Sequence, residues 1–490
     1  MKQLNNETMI RTRFAPSPTG ELHIGSARTA LFAYLFAKHS DGLPADAPRP
    51  AMPAGQFLLR IEDTDQERST KEFEKNIFAG LSWLGISHDG DILYQYGRLD
   101  EYQKVAEQLI KNGFAVRENG AVILKAKDTL DKLGIEYEEV KKISADSNNE
   151  DSDQKVYPER SRRAYLLKNI GDDLIHGKIS GTISDTVLLR SSGTPTFHLA
   201  VIIDDEFMGI THVIRGDDHL SNTPLHIVLQ KALNYKVPKY VHIPMILGPD
   251  RSKLSKRHAA TSVLEYKKLG YLPEAIVNFI ALLGWNPKDE REIFSMAELV
   301  KEFDLSNVNK ASAIFDIEKL NWMNEHYIKD QISKIKMTDQ SAKMLKGWGI
   351  DNLLSGELEL VGRGGYKTLK EAADYIIKLR LKPEYVSSLL IFKKSDKGRT
   401  AVGLNRALEK LQILTAWSEE DLNQMLSDVV KDNNLSNGDV FWPVRVALCG
   451  GEKSPSPVEL LLALGKDEAV ARIEKATEKL KNLRTEELKN

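Results

Sequence analysis

Strand-like and helical patterns alternate through the first half of this chain, and then the strands stop. Short apolar runs, "MIRTRFA", "QFLLRI", "FHLAVII" and "ITHVIR", are separated by helical patterns such as "SARTALFAYLFAK" and "SNTPLHIVLQKAL". Strands that alternate with helices predict an α/β domain whose parallel sheet is covered on both faces. From about residue 330 onward amphipathic helices dominate, as in "KEAADYIIKLRL", "NRALEKLQILTAW" and "PVELLLALGKDEAVARIEKATEKL", which predicts an all-α second half. A chain of 490 residues is too long for one core, so a modular protein is expected.

Two segments read as exposed insertions: "GLPADAPRPAMPAGQ", with four prolines between Pro44 and Pro53, and the acidic "SADSNNEDSDQK" at 144–155. Between about 116 and 195 the pattern is more charged and less regular, as for a smaller module set between two halves of the sheet domain. A formal charge of −2 gives no global basic field, so a polyanion would have to be held by local patches. The single cysteine, Cys449, rules out an internal disulfide and fits a reducing compartment. With no long apolar stretch, neither export nor membrane insertion is expected.

The chemistry is concentrated where the first strand turns into the first helix. In "RFAPSPTGELHIGSARTALFAYLFAK" the turn carries Pro16, Pro18, Gly20 and Gly25, so the backbone can approach a ligand while the new helix presents unpaired N–H groups. Ser26 is the expected N-cap, and Ala27, Ala30, Leu31, Tyr34 and Leu35 mark the apolar face. His23 adds a donor at a helix end that favours negative charge, which suits a nucleotide phosphate. A histidine there is by itself more often a cap. A second element is "GPDRSKLSKRHAA", where Lys253, Lys256 and Arg257 crowd around Ser255; alone it would read as a solvated basic loop, but lysines also suit phosphate oxygens whose charge shifts during transfer.

Together, PSPTGELHIGS and KLSKR resemble the two signature segments of class I aminoacyl-tRNA synthetases, usually described as HIGH and KMSKS. The surrounding "RFAPSPTG", "RIEDTD", "GTPTFHLA", "DDEFMGITHVIRGDDHLSNTP", "FIALLGW" and "FDIEKLNWMN" are similar to glutamyl-tRNA synthetases, in that family's order. The resemblance extends through "WPVRVALCG" and "ELLLALGKDEAVARIEKA", and "APSPTG" is the glutamyl rather than the glutaminyl form.

That resemblance implies a Rossmann-type catalytic domain in two halves, 9–115 and 196–250, around an acceptor-end-binding module at 116–195. A KMSKS loop and stem-contact region would follow at 251–330, then a helical anticodon-binding domain at 331–490. It implies ATP-dependent formation of glutamyl-adenylate and transfer to tRNA for glutamate, with tRNA for glutamine left open as a second substrate. It also implies a cytoplasmic monomer, with Mg²⁺ carried by ATP. His23, Lys253 and Lys256 would be catalytic, and Gly25, Ser26, Asp218, Ser255 and Lys256 would hold ATP. Arg13, Ser17, Glu62, Phe197 and Arg215 would bind glutamate, the arginines as forks for carboxylates and Glu62 for the ammonium.

Two residues depart from the family pattern. Phe197 stands where tyrosine is expected and Val201 where many members have asparagine, so glutamate would be held more weakly or by a compensating group. The inserted module has no cysteine, so no structural zinc is expected. A catalytically silent tRNA-binding paralogue is the alternative from another class.

Overall fold

The computed structural model describes residues 9–39, 55–141, 163–254, 262–333, 338–452 and 454–483. Both predicted insertions fall in or almost wholly in the stretches outside the described residues, as do Ser255, Lys256 and Arg257. The chain divides into two compact units, one comprising residues 1–267 and 273–320, the other 268–272 and 321–490.

In the first unit, β1 (Arg11–Phe14) leads through the Pro- and Gly-bearing turn to α1 (Ile24–Lys38) and back to β2 (Gln56–Ile61), which pairs with β1 in parallel. After α2 (Lys71–Trp83), β3 (Leu93–Tyr94) extends the sheet on the far side of β2. α3 (Leu99–Lys111) then leads into β4 (Ala115–Glu118), β5 (Ala121–Leu124), α4 (Ala126–Leu133) and β6 (Glu138–Lys141). β7 (Arg163–Asp173), β8 (Gly177–Ile183) and β9 (Thr186–Leu189) complete this part. Its pairings are antiparallel, β4–β5–β9 and β6–β7–β8, and more regular than the sequence suggested.

The sheet resumes after α5 (Phe197–Phe207) with β10 (His212–Gly216), α6 (Thr223–Ala232) and β11 (Lys239–Ile243), β10 and β11 being parallel. Thr211 joins the two halves: its N–H donates to the Arg11 carbonyl at 2.9 Å, and its hydroxyl accepts the Arg11 N–H at 2.9 Å. The order across the sheet is therefore β3–β2–β1–β10–β11, and strands β1 and β10 meet in the middle, the kind of switch point at which open α/β sheets bind ligands. At the outer edge, Asp173 of β7 pairs in parallel with Tyr240 of β11.

One expected strand is a helix. "FHLAVII" opens α5, where Leu199 to Asp205 are all buried. An apolar run of seven residues cannot by itself distinguish a buried strand from a buried helix, because a helix enclosed on all sides has no polar face to reveal its period. The same holds in α1, where burial extends beyond the predicted face to Ile24, Arg28, Phe32, Ala33 and Ala37.

The remaining elements of this unit are β12 (Ile246–Leu247), α7 (Val263–Lys268), α8 (Pro273–Leu282), α9 (Met296–Glu302) and β13 (Ala313–Ile314). α10 (Ile317–Ser333) runs on into the second unit. From there the described residues form helices without strands: α11 (Asp339–Gly347), α12 (Ser355–Gly362), α13 (Leu369–Arg380), α14 (Lys397–Ile413), α15 (Glu419–Asp432), α16 (Asn437–Cys449), α17 (Pro457–Leu464) and α18 (Lys466–Asn482). Leu404, Leu426, Val444, Leu461 and Ile473 are among the residues of its core. The last predicted helical stretch is divided into α17 and α18 at Gly465, whose φ of +75° suits glycine. Arg380 is occupied there by a bidentate pair with the buried Glu357 at 2.7 Å.

Candidate functional site

A cavity of about 600 Å³ opens at the C-terminal ends of β1, β10 and β11. Arg13, His23, Gly25, Ser26, Glu62, Phe197, Val201, Arg215, Asp218 and Lys253 all line it. Residues up to 240 positions apart in the chain thus share one wall, because parallel strands deliver their following loops to the same end of the sheet. Ser17 is exposed and lies off that wall.

At one end the site is built around the start of α1. His23, not Ser26, is the N-cap: its Nδ1 accepts the Ser26 N–H at 3.1 Å, and the Ser26 hydroxyl donates back to the His23 carbonyl at 3.0 Å. With Nδ1 accepting, the neutral ring carries its proton on Nε2, which leaves a donor. A Cβ at Gly25 would come within 3.2 Å of both Cε1 and Nδ1 of His23, so the glycine gives the ring its seat. Burial among the cavity walls, helped by the charge of Lys253 and opposed by Asp218, holds His23 below its ordinary pKa and therefore neutral at pH 7. Lys253 reaches the same place from a tight turn closed by the bridge between Leu247 and Lys253, with Arg251 at φ +61°.

The other end is a buried lattice of charges. Arg13 of β1 does not stand free as a carboxylate fork: its Nε and Nη2 donate to the two oxygens of Asp205 at 3.0 and 3.3 Å, and Nη1 donates to the Ile214 carbonyl. Arg60 of β2, fully buried, donates to Asp205 at 2.6 Å and to Glu62 at 3.0 Å. Burial raises the Glu62 pKa, while Arg60 and Arg13 work against that rise. Arg215 is also held: Nε donates to His242 Nε2 at 3.0 Å, Nη1 to His226 Nδ1 at 3.3 Å, and Nη2 to Thr223 Oγ1 at 2.9 Å and the His219 carbonyl at 3.3 Å. Burial lowers it to about 10, which leaves it charged at neutral pH. A guanidinium has five N–H groups, so among the described residues these four contacts leave Arg215 one, on Nη1. Phe197 stacks on His219 with centroids 5.3 Å apart.

Residues 9–322 match the family described as tRNA synthetases class I (E and Q), catalytic domain, and residues 320–477 match the anticodon binding domain family. A glutamate–tRNA ligase of Francisella tularensis subsp. novicida is 39% identical over 493 residues, covering 96% of this chain and 100% of the relative. The chain belongs to the glutamate–tRNA ligase family. A second relative, glutamate–tRNA ligase 2 of Thermoanaerobacter pseudethanolicus, is 37% identical across 97% of this chain and 99% of its own length. The crystal structure of a glutamate tRNA ligase from Elizabethkingia meningosepticum, in complex with its amino acid, is 29% identical, with a TM-score of 0.73 over 96% of this chain and 100% of that one.

Several side chains that shape the site in this member of the glutamate–tRNA ligase family were not singled out by sequence reasoning. Arg60 and Asp205 lock the lattice, and His226 and His242 flank Arg215. Arg28 also lines the cavity; it donates to the Leu283 carbonyl at 2.8 Å and to that of Pro244, and its Nε has no partner among the described residues. A signal existed for Arg60, which interrupts the apolar run "QFLLRI", since a charge buried in such a run has to be paired; Asp205, inside the acidic "DDE", carried none.

Proposed function

We propose that this chain is a glutamate–tRNA ligase: it activates L-glutamate with ATP and transfers it to the 3′ end of tRNA for glutamate. The observation that carries this reading is the charge of the cavity wall. Arg13, Arg215 and Glu62 of that wall, with Arg60 and Asp205 packed behind it, make three cations against two anions, so this buried lattice has one positive charge left over. Glutamate, with two carboxylates and one ammonium, supplies the single negative charge that is missing. Arg215, through its remaining N–H, and the unused N–H groups of Arg13 bind the carboxylates, while Glu62 receives the ammonium. Ser17 contributes from the rim, and Phe197 and Val201 close the pocket with apolar surface.

ATP lies at the other end, with Gly25 and Ser26 admitting the adenosine and Asp218 at the ribose. His23 donates from Nε2 to a phosphate oxygen beside the start of α1, and Lys253, Lys256 and Ser255 meet the departing phosphates. Mg²⁺ arrives with ATP as part of that substrate. The α-carboxylate of glutamate is ionised at neutral pH, so its attack on the α-phosphorus needs no general base. Rate comes from alignment of the two substrates and from donors placed where charge builds up on the phosphate. We further assign the 116–195 segment to the acceptor end of tRNA and the helical second unit to the anticodon, in a cytoplasmic monomer.

ATP-dependent attachment of labelled glutamate to purified tRNA for glutamate, and separately to tRNA for glutamine, tests this. Charging of the first is expected, and charging of the second decides how selective the enzyme is. Binding of tRNA with no charging of either, and no release of pyrophosphate, would replace the reading with that of a silent paralogue.

A further inference from the structure

Arg215 is a donor only, and that property fixes the state of every ring around it. Because its Nε–H donates to Nε2 of His242, that nitrogen carries no proton, and a neutral His242 must hold its proton on Nδ1. Nδ1 lies 2.7 Å from Asp173 Oδ2, which also accepts the His242 backbone N–H at 2.9 Å. The other oxygen of Asp173 accepts the N–H groups of Ile175 at 2.9 Å and His176 at 2.7 Å. Both side chains are completely buried. The far edge of the guanidinium is fixed in the same way. Nη1 donates to His226 Nδ1, so His226 carries its proton on Nε2, 3.1 Å from His198 Nδ1.

We propose that Asp173 and His242 are positioning residues for the amino-acid site: Asp173 locks the tautomer of His242, and His242 holds Arg215 so that its one uncommitted N–H stays with the ligand. The inference rests on the reading of Arg215 as a carboxylate-binding residue. Asp173 ends β7 at the outer edge of the sheet, beyond β11, so a residue two strands away sets the geometry of a side chain on β10. A guanidinium released from Nε would turn within its pocket and lose the alignment of that last N–H. Losing one hydrogen bond to a charged group typically changes an equilibrium by about 10- to 100-fold.

The test uses the full-length enzyme with tRNA present, measuring KM for glutamate and for ATP alongside thermal melting. His242→Phe keeps a ring of similar shape without either nitrogen; KM for glutamate is expected to rise about tenfold or more while KM for ATP stays within about twofold. His242→Gln, whose amide can accept from Arg215 and donate to Asp173, is expected to restore most of the loss. A folded His242→Phe with the parental KM for glutamate overturns the proposal, provided Arg215→Ala raises that KM. If Arg215→Ala leaves it unchanged, the reading of Arg215 itself falls, and the inference with it. If His242→Phe does not fold, Asp173→Asn takes its place: its amide N–H directed at Nδ1 turns the His242 tautomer round and sets two donors against each other at Arg215. A parental KM for glutamate in that variant overturns the proposal as well.

Discussion

The two ends of the cavity use cations in opposite ways. At the end proposed for the amino acid, Arg13 and Arg215 on the wall and Arg60 behind it are 4%, 6% and 0% exposed, and each is tied to protein partners. At the end proposed for the phosphates, Asp218 and Lys253 are exposed. The difference follows from solvation. A charge removed from water has to be paired to be tolerated, so the buried end is a finished lattice that offers its ligand a few remaining N–H groups and one unbalanced charge. A solvated group carries no such debt and can wait for its ligand. Changes at the first end should therefore act on folding, and changes at the second on rate.

The sharpest way to break that contrast is Asp205→Ala, which leaves Arg13 and Arg60 buried without their shared carboxylate. Urea unfolding is expected to show a loss of about 3–5 kcal/mol; an unchanged stability with slowed activation would put both ends in the same class. Lys253→Ala should do the reverse, lowering kcat by roughly a hundredfold, ~3 kcal/mol in the transition state, with an unchanged melting temperature. The comparison can also be tested with acid. Burial, with Arg215 and His219 adding to it, lowers His198 to about 4, and burial with Lys239 lowers His212 to about 4. The unfolded chain binds these protons near pH 6.5 and the folded chain only near 4, so their stabilisation is complete above about pH 6.5 and is lost as pH falls toward 4. Denaturation midpoints should fall steadily as pH is lowered through that window, and a flat profile would show that His198, which meets His226 behind Arg215, and His212, at the other end of β10, are not held neutral.

Two smaller effects separate roles within each end. His23→Asn keeps a good helix cap but loses the Nε2 donor, whereas His23→Ala loses both. The two should be similarly slow, yet the alanine variant should be less stable by about 1 kcal/mol. Equal stability would mean that His23 is not a structural cap. Phe197→Tyr adds a hydroxyl to the wall proposed for glutamate, and KM for glutamate should fall by about fivefold, ~1 kcal/mol. No change would show that the neighbouring histidines already supply what the tyrosine would.

Much of this was legible from contiguous residues. Arg13, His23, Gly25, Glu62, Arg215, Asp218 and Lys253 stand on one cavity wall, and the strands of "MIRTRFA", "QFLLRI" and "ITHVIR" form where expected. The misreadings share a cause. "FHLAVII" became α5 because complete burial erased the period that distinguishes a helix from a strand. His23 displaced Ser26 as the cap because its ring fits over Gly25, a fit of shape that residue type does not announce. The arginines proved to be committed because their partners lie in other elements, out of reach of any local pattern.

The sequence by itself determined the strand–turn–helix unit with its open helix start, the alternation that builds a parallel sheet, and which side chains carry charge. These depend on neighbours a few residues apart. Only the tertiary structure decided how those charges are spent: Arg13 meets Asp205 across 192 positions, and His242 meets Asp173 across 69. A buried charge must take whichever partner the packing of distant elements brings to it.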